Sequence, residues 1–154
     1  MDNFEIKDIA VEFITSLNIK FSSLAVEKKD ERIWINLIPQ ADAPKLIGYR
    51  GQNINAMQTL LTLLLLNKGL TKDEFVIFDI NGYTKQKEEK VISIVHQKIK
   101  NIEKYNEPQF MPFLGAPERR MVHLYIQLHF PNHKSESFTD EHDKTKRILK
   151  ISLK

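Results

Sequence analysis

The spacing of apolar and polar positions changes several times along the chain, and each change marks an element. Over residues 3–17 the apolar residues Phe4, Ile6, Ile9, Val11, Phe13, Ile14 and Leu17 recur at helical spacing, which predicts an amphipathic helix. Residues 21–26 and 32–38 read as strands. In the second, Ile33, Ile35 and Leu37 alternate with Trp34, Asn36 and Ile38, and Lys28-Lys29-Asp30-Glu31 supplies a polar turn between the two. Asp42-Ala43-Pro44 is a helix start, with Asp42 as the cap and Pro44 in the first turn, and Gly48 stops that helix. A second helix begins after Gly51, runs to about residue 67 and closes at Lys68-Gly69. Residues 74–80, nearly all apolar, predict a strand central in its sheet.

Asn81-Gly82 is a turn, and residues 83–105 then read as one long helix. Val91, Val95, Ile99 and Ile102 form its apolar stripe, widened by Ile92 and Ile94. Asn106-Glu107-Pro108 breaks it. Residues 109–113 form a short strand, and Gly115-Ala116-Pro117-Glu118 starts a helix reaching about residue 130. Two closing strands, 134–139 and 145–153, flank a charged turn. The longest apolar stretch, 57–66, is interrupted by Gln58, Thr59 and Thr62. A membrane span needs about 20 apolar residues, so this stretch reads as a buried helix, with residues 60–66 in the core.

Composition narrows the function classes. The 154 residues hold no cysteine, which excludes disulfides and thiolate metal sites, and nothing suggests secretion. Acidic residues Asp2, Glu5, Asp8 and Glu12 near the start are unlike a signal peptide. Charge is unevenly placed. Residues 1–82 carry 9 Lys+Arg against 11 Asp+Glu, whereas residues 83–154 carry 14 against 9. A basic second half suits an anionic partner. The charge change places the domain boundary at Asn81-Gly82, giving domains of 1–82 and 83–154.

Leu46-Ile47-Gly48-Tyr49-Arg50-Gly51-Gln52 joins two helices through a two-glycine turn. Glycines permit a sharp reversal and close approach of another backbone. The following helix directs its N-terminal amides and positive dipole end at the turn, and Arg50 adds charge. Glycines at this spacing mean little alone. Preceded by a helix and a strand pair, and followed by an apolar helix and strand, the turn resembles the GxxG loop of a KH domain of the prokaryotic, helix-first type (type II). Such loops clamp four single-stranded nucleotides. The resemblance implies phosphate contacts at Gly48, Arg50, Gly51 and the amide of Gln52, with Ile47 on the wall of a base groove. Tyr49 replaces the basic residue common at its position and offers a stacking ring.

Pro117-Glu118-Arg119-Arg120-Met121-Val122-His123 places Arg119 and His123 at i and i+4, on one helix face. Arg offers a planar fork for phosphate; His can stack or donate a hydrogen bond. This is similar to the small domain named for its Arg-x-x-x-His motif, which binds single-stranded nucleic acid on a helix-flanked, three-stranded sheet. Arg120, Lys146 and Arg147 would extend that contact. A KH domain followed by an Arg-x-x-x-His domain is the layout of the Jag family, the SpoIIIJ-associated KhpB proteins of bacteria. Asp79-Ile80-Asn81-Gly82-Tyr83, Ser135-Glu136-Ser137 and Lys146-Arg147-Ile148-Leu149 extend the resemblance over nearly the whole chain. The extra N-terminal domain of many relatives is missing from this sequence. Thr84 and Lys87 replace basic residues usual at the junction, and Asp140, Glu141 and Asp143 enlarge a final turn that is shorter in relatives.

The resemblance implies an α+β fold, with a three-stranded KH sheet carrying helices on one face and a second small three-stranded domain. It implies a cytoplasmic, non-enzymatic binder of single-stranded RNA (or single-stranded DNA at the second domain). The role would be that of a post-transcriptional regulator or RNA chaperone linked to cell shape and elongation. Its partner would be a KhpA-like single-KH protein or a second copy of the chain; no membrane, cofactor or metal is expected. His96, His123, His129, His133 and His142 show no metal spacing, and Pro131 separates His129 from His133. Glu118 and His123, five apart, lie on different faces and make no acid/base pair. Lys85, Lys87, Lys90, Lys98, Lys100 and Lys104 read equally as a solvated face or as an electrostatic rail for RNA. The competing function is a protein-interaction subunit whose KH unit mainly dimerises.

Overall fold

A computed structural model describes residues 1–29, 31–40 and 42–154. The fold is α+β with two three-stranded sheets, and the chain divides into two compact units, Met1–Gln86 and Lys87–Lys154. The division falls just inside a helix, four residues past the Asn81-Gly82 turn.

In the first unit, α1 (Asn3–Ser16) opens with a reciprocal cap. The Asp2 carboxylate accepts the Glu5 amide at 2.8 Å, and the Glu5 carboxylate accepts the Asp2 amide at 2.9 Å. Strands β1 (Phe21–Lys29) and β2 (Arg32–Pro39) pair antiparallel. The expected polar turn is therefore partly strand: Lys28 pairs with Ile33 and Lys29 with Arg32, while Asp30 lies outside the described residues. Helices α2 (Ala43–Ile47) and α3 (Gln52–Asn67) follow, then β3 (Phe75–Ile80), which runs parallel to β2. Ile33, Ile35 and Leu37 of β2 share one buried face with Val76, Phe78 and Ile80 of β3, packed on Ile6, Ile14, Leu61 and Leu65.

Three expectations need correction. The sheet order is β1-β2-β3, so β3 is an edge strand and not the centre. Its apolar run reports burial, because the edge is covered by side chains. Gln58 accepts the Phe78 amide and the Thr84 hydroxyl donates to the Phe78 carbonyl, each at 2.9 Å. Asp42 makes no side-chain cap; it sits at φ 54°, ψ 40° in the left-handed region, from which its side chain does not close the first turn of α2. The Leu-rich run is only half core: Leu61 and Leu65 are buried, whereas Leu60, Leu63 and Leu64 face outward.

The second unit contains most of α4 (Tyr83–Tyr105), then β4 (Gln109–Phe110), α5 (Ala116–His129), β5 (His133–Thr139) and β6 (Arg147–Leu153). The expected strand over 109–113 is only two residues long, and the last strand starts two residues late. Strand order is β4-β6-β5, all antiparallel. Val91, Val95, Ile99 and Ile102 of α4 pack with Val122 and Ile126 of α5 against Leu149 and Ile151 of β6. By strand alternation, Phe110, Phe138, Ile148 and Lys150 lie on the opposite face of this sheet. Among the described residues no helix is long and apolar enough to cross a membrane.

Candidate nucleic-acid interface

Between α2 and α3 the backbone reverses through one 3-10 turn, Tyr49–Gly51. Gly48 sits at φ 77°, ψ 176°, a region essentially closed to residues with a Cβ. A Cβ there would lie 2.7 Å from Asn53 Cγ and 3.0 Å from the Asn53 backbone nitrogen. Asn53 in turn ties α3 to α2, its amide donating to the Lys45 carbonyl at 2.8 Å. Gly51 is left-handed at φ 75°, ψ 19°, and a Cβ would meet the Tyr83 ring at 3.1–3.2 Å. Both glycines are thus required by close approach of named neighbours.

Arg50 is also left-handed (φ 52°, ψ 29°), a conformation that an L side chain adopts at a cost of about 1–2 kcal/mol. The corner thereby presents Tyr49, 71% exposed, with the exposed Arg50 guanidinium 5.2 Å from its ring centroid. Ile47 is half-buried at the margin of the core. The amides of Gly51 and Gln52 donate inside the corner, to the Gly48 and Tyr49 carbonyls. The Gln52 amide expected to meet phosphate is therefore already committed in this conformation, leaving the exposed Gln52 side chain at that position.

In the second unit, α5 starts at Gly115, whose amide donates to the Glu118 carboxylate; the same carboxylate pairs with Lys87 of α4 at 2.5 Å. One turn on, Arg119 is half-buried and donates to the Leu114 carbonyl at 2.7 Å. His123 has both ring nitrogens engaged: Nδ1 with Ser135 Oγ at 2.5 Å and Nε2 with Ser137 Oγ at 2.8 Å, both on β5. Partial burial, and then the neighbouring Arg119 charge, hold its pKa below the usual histidine value. His123 is therefore a neutral pin between helix and sheet, and Arg119 is the cation beside it, with the exposed Arg120 next along the helix. Arg147 reaches the same shelf, donating to the Ser137 carbonyl at 3.2 Å. Lys146 goes elsewhere: its ammonium stands 5.7 Å from the Phe113 ring centroid and 3.8 Å from the Asp143 carboxylate.

Sequence reading missed several participants. Tyr83 against Gly51 and the two serines under His123 are long-range contacts that local pattern does not encode. A ring cluster also escaped it: His96 Nε2 meets Tyr125 Oη at 2.8 Å, His129 lies against Tyr125 at 4.4 Å with the rings tilted by 41°, and Phe130 packs edge-on against both His96 and the buried His133. Among the described residues no group of three or more His, Cys, Asp or Glu could hold a metal ion. Lys87 of the predicted basic rail is in the Glu118 pair, and the Lys104 ammonium stands 5.1 Å from the Tyr105 ring centroid. No protein-family model matches this chain, and no curated protein matches it.

Proposed function

We propose that this chain is an RNA-binding protein of the KH plus Arg-x-x-x-His type, similar to the Jag (KhpB) family, that holds single-stranded RNA. The observation that carries the reading is the corner at residues 48–51. Two glycines are forced by backbone angle and by close neighbours, while the residues between them, Tyr49 and Arg50, project outward. A left-handed arginine is retained at a conformational cost, which is reasonable where its charge is used. Arg50 and the exposed Lys45 supply phosphate contacts, and Tyr49 supplies a ring on which a base can stack. Arg119, Arg120 and Arg147 supply a second set of cations, Arg147 bonded to the Ser137 carbonyl, with His123 fixing the helix to its sheet.

Fluorescence anisotropy with a labelled single-stranded RNA tests this. Arg50→Glu should weaken binding roughly tenfold with little loss of fold, because Arg50 is exposed and replaces an attraction with a repulsion. Unchanged affinity in a folded Arg50→Glu variant would defeat the reading.

A second reading is favoured by one observation. Leu60, Leu63 and Leu64 form an outward apolar stripe on α3 at i, i+3, i+4 spacing, as a helix docking on another protein would. Size exclusion with and without ribonuclease separates the readings: an assembly that survives nuclease and is lost in Leu60→Lys/Leu63→Lys rests on protein contacts.

A further inference from the structure

Three phenyl rings of the second unit stand in solvent at one end of its sheet. Phe113 is 66% exposed, and Phe110 and Phe138 meet edge-on at 6.3 Å and 81° on the sheet face turned away from the unit's helical core. Solvent-exposed aromatic clusters on small units are uncommon without a ligand. Beside them is an open cleft of about 290 Å³ whose walls include Phe110, Phe113, Lys146, Arg147, Ile148 and Asp140. That volume falls just short of the roughly 300–1,000 Å³ of enclosed small-ligand sites, as an open shelf would.

The cleft sets aromatic faces beside the Lys146 ammonium and the Asp140 carboxylate. Asp140 is turned in part toward its own loop, where its Oδ1 accepts the His142 amide at 3.0 Å. The Lys146 ammonium rests over the Phe113 ring and is held by Asp143 only at 3.8 Å, so a phosphate oxygen can recruit it without breaking a close ion pair. Exposed rings on a sheet surface, edged by basic side chains, are the arrangement that stacks unpaired bases while pairing the adjoining phosphates. An apolar protein segment would gain nothing from the Lys146 ammonium at the rim.

From this we infer that the cleft is a nucleobase-stacking site. An unpaired base lies against Phe113 and Phe110, and Lys146 takes the neighbouring phosphate. This surface is separate from the Arg119–His123 helix face, since Lys146 and Arg147 diverge: Arg147 turns to Ser137, Lys146 to Phe113. The inference rests on the reading of the chain as a single-strand binder.

The test uses the full chain and two probes, an oligouridine of about 12 nucleotides and an abasic ribose-phosphate oligomer of the same length. Phe110→Leu/Phe113→Leu keeps apolar bulk but removes both rings. It should weaken oligouridine binding roughly fivefold or more per lost stack and leave the abasic oligomer unaffected. Phe110→Tyr/Phe113→Tyr, which keeps the rings, should bind as the wild type does. Arg50→Glu should weaken both probes. If the wild type binds oligouridine and the leucine variant binds it equally well, the inference falls and the parent reading stands. If the wild type binds neither probe, both fall. If the leucine variant loses only self-association in sedimentation, the rings serve a protein contact and the inference is likewise overturned.

Discussion

Replacing Gly48 by alanine should be the most damaging one-atom change in the first unit. A non-glycine residue at φ 77°, ψ 176° is strained by about 1–3 kcal/mol. The new Cβ would also sit 2.7 Å from Asn53 Cγ and 2.8 Å from its Nδ2. If the Asn53 side chain swings away, it surrenders the 2.8 Å bond to the Lys45 carbonyl, a net loss of about 1 kcal/mol. The Asn53 backbone nitrogen, at 3.0 Å, moves only if the first turn of α3 moves. Against this, alanine restricts the unfolded chain and recovers about 0.4–1 kcal/mol. The sum is a destabilisation of about 1–4 kcal/mol. Trp34, the single tryptophan, lies in β2 and reports the unfolding of this unit by fluorescence. With a urea dependence of about 1–3 kcal/mol/M, the midpoint should fall by roughly 0.3–4 M, and by about 1 M for mid-range values. Gly51→Ala is the internal comparison. Its left-handed angles cost about 1–2 kcal/mol, and the Tyr83 ring at 3.1–3.2 Å need give only slightly. A Gly48→Ala midpoint no lower than that of Gly51→Ala would refute the steric account of the corner. The same reasoning makes Gly48→Asp a poor probe of RNA binding, since it attacks fold and site together.

Arg50→Gly should separate stability from binding: relief of the left-handed strain, less the added freedom of the unfolded glycine, leaves the variant neutral to about 1 kcal/mol more stable by urea titration, yet weaker for RNA. His123 supplies a pH dependence. Its folded pKa lies below the unfolded value of about 6.5, so the unfolded chain binds the extra proton first. Stability contributed by the neutral ring is complete above that unfolded value and is lost as pH falls from it toward the folded pKa. Urea midpoints should therefore drop on acidification through this window, and drop less in His123→Gln; a histidine that titrates above its ordinary value by NMR would contradict this. Glu118→Ala removes both the Gly115 cap and the Lys87 pair, and should lower stability by about 1–2 kcal/mol, read as the loss of helical circular dichroism at lower temperature.

Periodic segments were legible because one packing face dominates them. The α4 stripe of Val91, Val95, Ile99 and Ile102 is the buried face, and the β2 alternation puts Ile33, Ile35 and Leu37 inside. Gly48 and Gly51 punctuate the helices where the spacing of the motif says they should. What pattern hides is set by partners distant in sequence. The position of β3 in its sheet depends on Gln58 and Thr84 covering its edge, and apolarity alone does not distinguish a covered edge from a centre. In a run of leucines, period is invisible, so Leu60, Leu63 and Leu64 could not be told from Leu61 and Leu65. Arg119 and His123 were legible as a pair on one helix face. That Ser135 and Ser137 occupy both imidazole nitrogens, and so make His123 a positioning residue, depends on how β5 packs under α5. The left-handed backbone of Arg50 runs against arginine's own preference, and no local pattern in the chain announces it.

The most direct test of the central claim is an amide NMR titration of the isotopically labelled chain with an unlabelled oligouridine. The account predicts that the largest shifts in the first unit fall on Gly48, Tyr49, Arg50, Gly51 and Gln52, and that they diminish as salt rises. Binding that leaves these five amides unmoved would show that the corner is not where an RNA strand is held.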